Sequence, residues 1–485
     1  MLEVSAGRSK SGRDRRMSED IVHVWEEDPG AHPSHRMPIG RTARDHGQLP
    51  LPFRIGEREP ESQHSQRYAL RYWTAVDSLA RATDWISESA LSEVVSWHPE
   101  MDGVMPVTLD AGIGLAGEYR RGSRDHGIFF FRTPSGHQTI YGCESPDIVC
   151  HEVGHAILDG LVPEIMETQR LEQQAFHEAF GDISSVLSSL TVESFCSAII
   201  HETRGQINNS SRLSRMAEQL SVEMRRRLPG KTDVASVREL SNEFYYIDPM
   251  AVPIRAPASQ ICHERHSFSR VFSAAFLDAL AGMFYPPKKT AADLQEVARK
   301  LAQILCQAVL ATPNSDRYWA DLAANMIIAD ARTFEGEHEA ILRESFAGRG
   351  ILTFDDLASI PEDALGGDPN YSPSDGPRDG SQIRDSQVCL PGHRYGISSD
   401  FGVRVPDQAP SVVPPVTGST GTQEKLTDLA SCFVEALFVH RQISVPKNLR
   451  TDRCLAAPER AVRATHEICE TESGSVELRT IACHR

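Results

Sequence analysis

Apolar residues recur at helical spacing through most of the chain. Tyr68, Leu70, Tyr72, Trp73, Val76, Leu79, Ala80 and Trp85 predict a helix with a broad apolar face beginning near residue 66. Short extended runs follow. MPVTLDAG (105–112) predicts one strand, EYRRGSRDHGIFFFR (118–132) two strands around a turn region, and HQTIYGCE (137–144) another. Helical spacing returns over 145–161, with Ile148, Val149, Ala156 and Ile157. It returns again after 175, with Phe176, Ala179, Phe180, Ile183, Val186, Leu187 and Leu190 on one face. Ser145 as cap, Pro146 at the first helical position and Asp147 in the first turn mark a helix start, and Gly160 followed by Pro163 marks its stop. Beyond 190 the pattern is helical: one helix ends at Gly230 and TDVASVRELSNEF continues the run. After a loop holding Pro249, Pro253 and Pro257, three apolar-striped helices are expected over 268–283, 292–311 and 316–332. A final helix closes at Gly348 and Gly350.

The two ends read differently. Residues 1–65 are rich in Arg, Gly, Pro, His and Ser with little periodicity, and a disordered or loosely attached segment is expected there. Residues 362–384 form a Gly/Pro/Ser/Asp linker. Residues 385–485 predict a small α+β appendage: a strand at 387–392, a helix over 422–440, and a terminal hairpin around Glu-Ser-Gly. Its THEICE segment has no second histidine four residues on, so no metal is assigned to it.

At 485 residues the chain has room for two or three domains, and 40% hydrophobic with 24% charged residues is an ordinary soluble composition. The net charge of −17 argues against nucleic acid or an anionic membrane as main partner, and no run approaches membrane-spanning length. The basic start has no apolar stretch after it, and the ten cysteines include no CxxC pair. Together these favour reduced thiols and a cytoplasmic protein.

The chemistry sits in SPDIVCHEVGHAILDGL and AFHEAFGDI. His151 and His155, four apart on a helix, present both imidazoles on one face, as half of a tetrahedral zinc site. Glu152 projects about 100° further round, where it can act on water without ligating the metal. In the second helix Glu178 and Asp182 share one side, and Glu178 stands 23 residues beyond His155. A carboxylate there can return across a short helix–loop–helix as third ligand, and Asp182 can accept the ring N–H of a liganding histidine. Two satisfied histidines on an amphipathic helix and two solvated acids are the plain alternative.

HEVGH followed by FHEAFGD resembles the thermolysin-like gluzincin metallopeptidases, whose pattern is HExxH and then a helix carrying E-A-x-x-D. The resemblance implies His151, His155 and Glu178 as ligands of one Zn2+, Glu152 as catalytic base and Asp182 as the partner of a ligand. It also implies a histidine just before a serine-containing helix that stabilises the oxyanion, a role that falls to His266, with Ser269 three residues on, in preference to His263. The family's acid before that histidine is absent, since position 261 is Ile261, and Glu264 is the nearest replacement. Its asparagine–alanine pair has no clear counterpart in LAGEY (115–119), and 156–177 contains no tyrosine. The implied fold is α+β: a two-lobed thermolysin-like domain over 66–361, β-rich first and helical after, with the appendage beyond. The expected function is zinc-dependent hydrolysis of a peptide or protein substrate. A catalytically weak or inactive zinc protein of the same fold, with a binding role, is the second reading.

Overall fold

A computed structural model describes residues 21–40, 49–87 and 95–360, apart from positions 33, 50, 62, 122–125, 137, 169, 228–229, 231, 234, 250, 285–289 and 316. Beyond these it describes 385–406, 443–451, 466–471, 474–480 and a few positions between 430 and 438. The fold is mixed α+β. The chain divides into two compact units, Met1–Asn242 with Pro253–Gln303, and Glu243–Val252 with Ile304–Arg485. This division falls ahead of the expected linker, whose residues 362–384 lie outside the described residues.

The first unit opens on strands β1 (Ile21–Trp25) and β2 (Arg36–Gly40), an antiparallel pair, and β3 (Phe53–Ile55). Helix α1 (Gln66–Ser87) follows, then β4 (Met105–Thr108), β5 (Gly117–Arg120), β6 (Gly127–Phe130), β7 (Arg132–Ser135) and β8 (Gln138–Tyr141). The main sheet runs β3-β4-β6-β5: β3 and β6 lie parallel to β4, and β5 is an antiparallel edge strand. The strands expected at 105–112, 118–132 and 137–144 are therefore present.

The described residues of 21–40 and 51–61 correct the expectation of a loosely attached leader. Val24, Leu51 and Phe53 are buried, Trp25 N donates to Thr74 Oγ1 of α1 at 3.0 Å, and the Arg81 guanidinium donates to the Glu26 carbonyl at 2.8 Å. Composition misled because this segment buries Glu26, Glu27 and Asp28, residue types that ordinarily mark solvent.

Helices α2 (Pro146–Leu161) and α3 (Leu171–Leu190) form the centre of this unit, with α6 (Arg265–Phe284) packed on α3. Phe176 of α3 meets Phe272 of α6 edge to face at 5.1 Å, and both are fully buried. The α2–α3 crossing is close because Gly154 and Gly181 face it: a Cβ on Gly154 would stand 2.7 Å from Ser184 Cβ and 2.9 Å from Gly181 Cα. Pro146 opens α2 as expected, but Ser145 does not cap with its side chain; its hydroxyl donates to Asp28 instead. Gly160 lies inside the helix, which ends on the Val162 N–H to Leu158 carbonyl bond. Helices α4 (Glu193–Thr203) and α5 (Glu218–Arg227) follow, with β9 (Arg215–Met216) between them. The continued helix expected over 232–244 does not form. That stretch carries β10 (Arg238–Glu239), paired antiparallel with β9.

Helix α7 (Ala291–Ala311) runs through the boundary between the units. The second unit holds α8 (Tyr318–Phe334), α9 (Glu339–Gly348) and α10 (Phe354–Ser359), the last opened by a Thr353–Asp356 capping box. It also holds a five-stranded sheet ordered β11-β12-β15-β14-β13, from β11 (Asp385–Leu390), β12 (Phe401–Pro406), β13 (Ile443–Ser444), β14 (His466–Glu470) and β15 (Val476–Thr480). The terminal hairpin is the expected one. Of the helix expected over 422–440, the described Ala430, Val434 and Phe438 are buried among Leu390, Phe401 and Ile443.

Candidate metal centre

Helix periodicity and the α2–α3 crossing bring the predicted ligands together. One donor atom each from His151, His155 and Glu178 falls within 4.8 Å of the others, and all three side chains are buried. Glu178 Oε2 is 3.5 Å from His151 Nε2 and 3.9 Å from His155 Nε2. Two ligand atoms on a tetrahedral zinc with bonds near 2.1 Å stand about 3.4 Å apart, so the trio has the spacing the ion needs. The two imidazoles meet edge to face, 4.5 Å between centroids.

Each of the three side chains is held differently. His151 Nδ1 lies 3.0 Å from Asp182 Oδ1, as the sequence predicts, and this fixes its ring with Nε2 toward the site. Asp182 is itself clamped by Arg238, whose Nη2 donates to Oδ1 at 2.6 Å and Nε to Oδ2 at 3.2 Å. Burial pulls the Asp182 carboxyl up, but Arg238 and His151 together hold it below the usual range. Burial opposes a charge on His151, yet Asp182 and Glu178 outweigh it and raise the imidazole to about 9. His155 has no such support: burial, then His177 and His151, push it well below the ordinary value. Glu178 runs the other way. Against burial, His266, His151 and His155 hold it well below the carboxylate range, and Arg265 Nε lies 3.1 Å from its Oε1.

Glu152 stands beside the trio without belonging to it. Its Oε2 accepts the backbone N–H of Tyr119 in edge strand β5 at 2.9 Å, and burial raises its carboxyl to about 7. Gly117 leaves the room it needs, since a Cβ there would sit 2.8 Å from Glu152 Cγ. The strand is tied down again by Asp159 of α2, which accepts Tyr119 Oη at 2.7 Å and an Arg121 N–H at 2.8 Å.

His266 lies in the first turn of α6 instead of the loop before it, half-exposed. Its Nδ1 is 2.5 Å from Glu264 Oε1, so Glu264 supplies the carboxylate missing at 261. Its Nε2 is 3.3 Å from Glu178 Oε2. Burial notwithstanding, His266 draws Glu264 down to about 2. His263 is exposed; its N–H donates to the Pro253 carbonyl. Of these groups His151, Glu152, Arg238, His263, Glu264 and His266 line a cavity of about 790 Å³ in the first unit, whose apolar wall includes Leu115, Met216, Leu220 and Val237.

Sequence reasoning missed Arg238, which fell in a stretch read as helix, and the roles of Gly154, Gly181 and His177. Of these only His177 carried a local signal, as the neighbour of a predicted ligand. Comparison with protein-family models and with curated proteins gives no match to this chain. Among the described residues no single helix is long and apolar enough to cross a membrane.

Proposed function

We propose that the chain is a zinc-dependent peptidase of thermolysin-like fold. The observation that carries this reading is the place of Glu152: a buried carboxylate beside a three-ligand site but outside it, held by an edge-strand amide and facing an open cavity. A site that only staples structure is usually closed by a fourth protein ligand and has no use for such a group.

His151, His155 and Glu178 would hold the ion. Zinc in such a site lowers the pKa of water and polarises a carbonyl as a Lewis acid. Glu152 then takes the proton from the attacking water and delivers it to the leaving amine. His266, supported by Glu264, donates to the oxyanion once its Nε2 turns from Glu178 toward the substrate. The free side of β5, where Leu115 to Gly117 line the cavity, receives an extended peptide by strand addition. The apolar wall then takes a substrate side chain.

The deciding experiment compares wild type and Glu152→Gln on a peptide library, with and without chelator. Wild type should cleave and lose activity to chelator. Glu152→Gln should keep its zinc and cleave almost nothing, because the amide cannot accept the proton. Zinc-loaded wild type that cleaves no peptide, or an active Glu152→Gln, would overturn the proposal.

A further inference from the structure

The segment after β1, Glu26-Glu27-Asp28, buries three consecutive carboxylates, with 7%, 3% and 2% of their surfaces exposed. Asp28 is fully engaged: Oδ1 accepts the Gly30 and Gln219 N–H groups and Oδ2 accepts the Ser145 hydroxyl. Glu26 Oε1 accepts the Ser194 hydroxyl. Glu27 is lopsided. Its Oε1 accepts the His35 backbone N–H at 2.7 Å and faces His35 Nδ1 at 3.0 Å and Arg212 Nη1 at 3.4 Å. Its Oε2 is buried and has no hydrogen-bond partner.

Charge is as unbalanced as the hydrogen bonding. Arg212 divides itself between Glu27 and Glu202, and Arg215 between Glu202 and Glu218. Three carboxylates, those of the buried Glu27 and Glu218 and the exposed Glu202, therefore share two guanidinium groups, while among the described residues the buried Glu26 and Asp28 accept only hydroxyl and backbone N–H groups. Arg81, the other cation bonded to this segment, is already paired with Asp77. Uncompensated buried carboxylates cost several kcal/mol each, and a bound cation or retained protons must offset them. One donor atom each from Glu26, Glu27 and His35 lies within 4.8 Å of the others, and His35, half-exposed, forms the way in from solvent.

We propose that Glu26, Glu27 and His35 form a second divalent-cation site, independent of the proposed catalytic one. One imidazole with two carboxylates favours zinc or another transition ion over calcium or magnesium, which take oxygen ligands. Arg212 Nη1 lies 3.4 Å from Glu27 Oε1 and 3.2 Å from His35 Nδ1; the ion takes the bare Oε2 of Glu27 and replaces Arg212 at the His35 ring.

The test counts zinc per chain by elemental mass spectrometry after equilibration with zinc and gel filtration of the full-length protein. Wild type should hold two ions, Glu178→Ala one, Glu27→Gln one, and the double variant none. His35→Ala, a change at a half-exposed side chain, covers the case in which Glu27→Gln does not fold; it should weaken the second ion by roughly 10-fold or more, the low end of losses on disturbing a metal site. Zinc should also raise the unfolding temperature of Glu178→Ala but not of Glu178→Ala combined with His35→Ala. Wild type holding a single ion that Glu178→Ala loses would overturn the second site, as would two ions retained in both Glu27→Gln and His35→Ala. A single ion kept in Glu178→Ala and lost in Glu27→Gln would instead uphold this site and remove the proposed catalytic one.

Discussion

His177 lies flat against His155, with ring centroids 4.1 Å apart and planes inclined by 6°. The residue before one proposed ligand is thus stacked on another. Neither His155 Nδ1 nor His177 Nε2 has a hydrogen-bond partner, and burial keeps His177 neutral by lowering it to about 4. His155 is therefore oriented by a ring face, whereas His151 is oriented by a carboxylate. His177→Ala should weaken zinc by roughly 10-fold, within the usual range for disturbing a ligand's support. His177→Phe, which keeps a flat ring, should stay near wild type. Competition with a chromophoric chelator reads both affinities. Equal losses in the two variants would show that a ring nitrogen matters more than the stack.

Two glycines allow the proposed ion and the proposed base to be tested separately. A Cβ on Gly181 would stand 2.7 Å from His151 Nδ1, and one on Gly117 would stand 2.8 Å from Glu152 Cγ. Gly181→Ala should displace the His151 ring and cost most of the bound zinc. Gly117→Ala should leave zinc in place and lower turnover by about 10-fold or more, since small misplacements of a catalytic group are expensive. Metal content and peptidase rate, measured on the same samples, resolve the two effects.

Arg238 and Asp182 form a pair in which Asp182 is wholly buried. Arg238→Gln should cost about 3–5 kcal/mol in denaturant unfolding, because it removes the guanidinium from a buried carboxylate and leaves it to His151 alone. Adding Asp182→Asn should recover part of that loss, since no lone charge remains. Additive losses in the double variant would mean that the two side chains are not coupled.

Stability should also carry a pH signature from Asp147, one turn before His151 in α2. Burial, then the charge of Asp28, raise the Asp147 carboxyl well above its ordinary value, with Glu218 and Glu27 adding to the push. The folded state therefore holds this proton more tightly than the unfolded chain does. That contribution is fully present below the ordinary carboxylate pKa of about 3.9 and is lost as pH rises through the raised value. Asp147→Asn can still accept the Ala217 N–H. It should unfold at higher denaturant than the parent at about pH 8 and match it near pH 4. An equal midpoint at both pH values would show that Asp147 is not strained by ionisation.

The sequence by itself determined the periodic parts. Spacing of four put His151 and His155, and likewise Glu178 and Asp182, on single helix faces, because a helix turn repeats every 3.6 residues. Alternation and turn residues gave the strands at 105–108, 127–130 and 138–141 for the same local reason. The tertiary structure alone decided what converges from separate segments. Arg238 reaches Asp182 across 56 positions, the Tyr119 amide reaches Glu152 across 33, and the 26–28 carboxylates lie against residues as distant as Gln219. Such contacts leave no periodic trace, since packing and charge compensation set them instead of backbone geometry. Glu26, Glu27 and Asp28 show the cost of reading composition alone: these acids are buried through partners that local sequence does not contain.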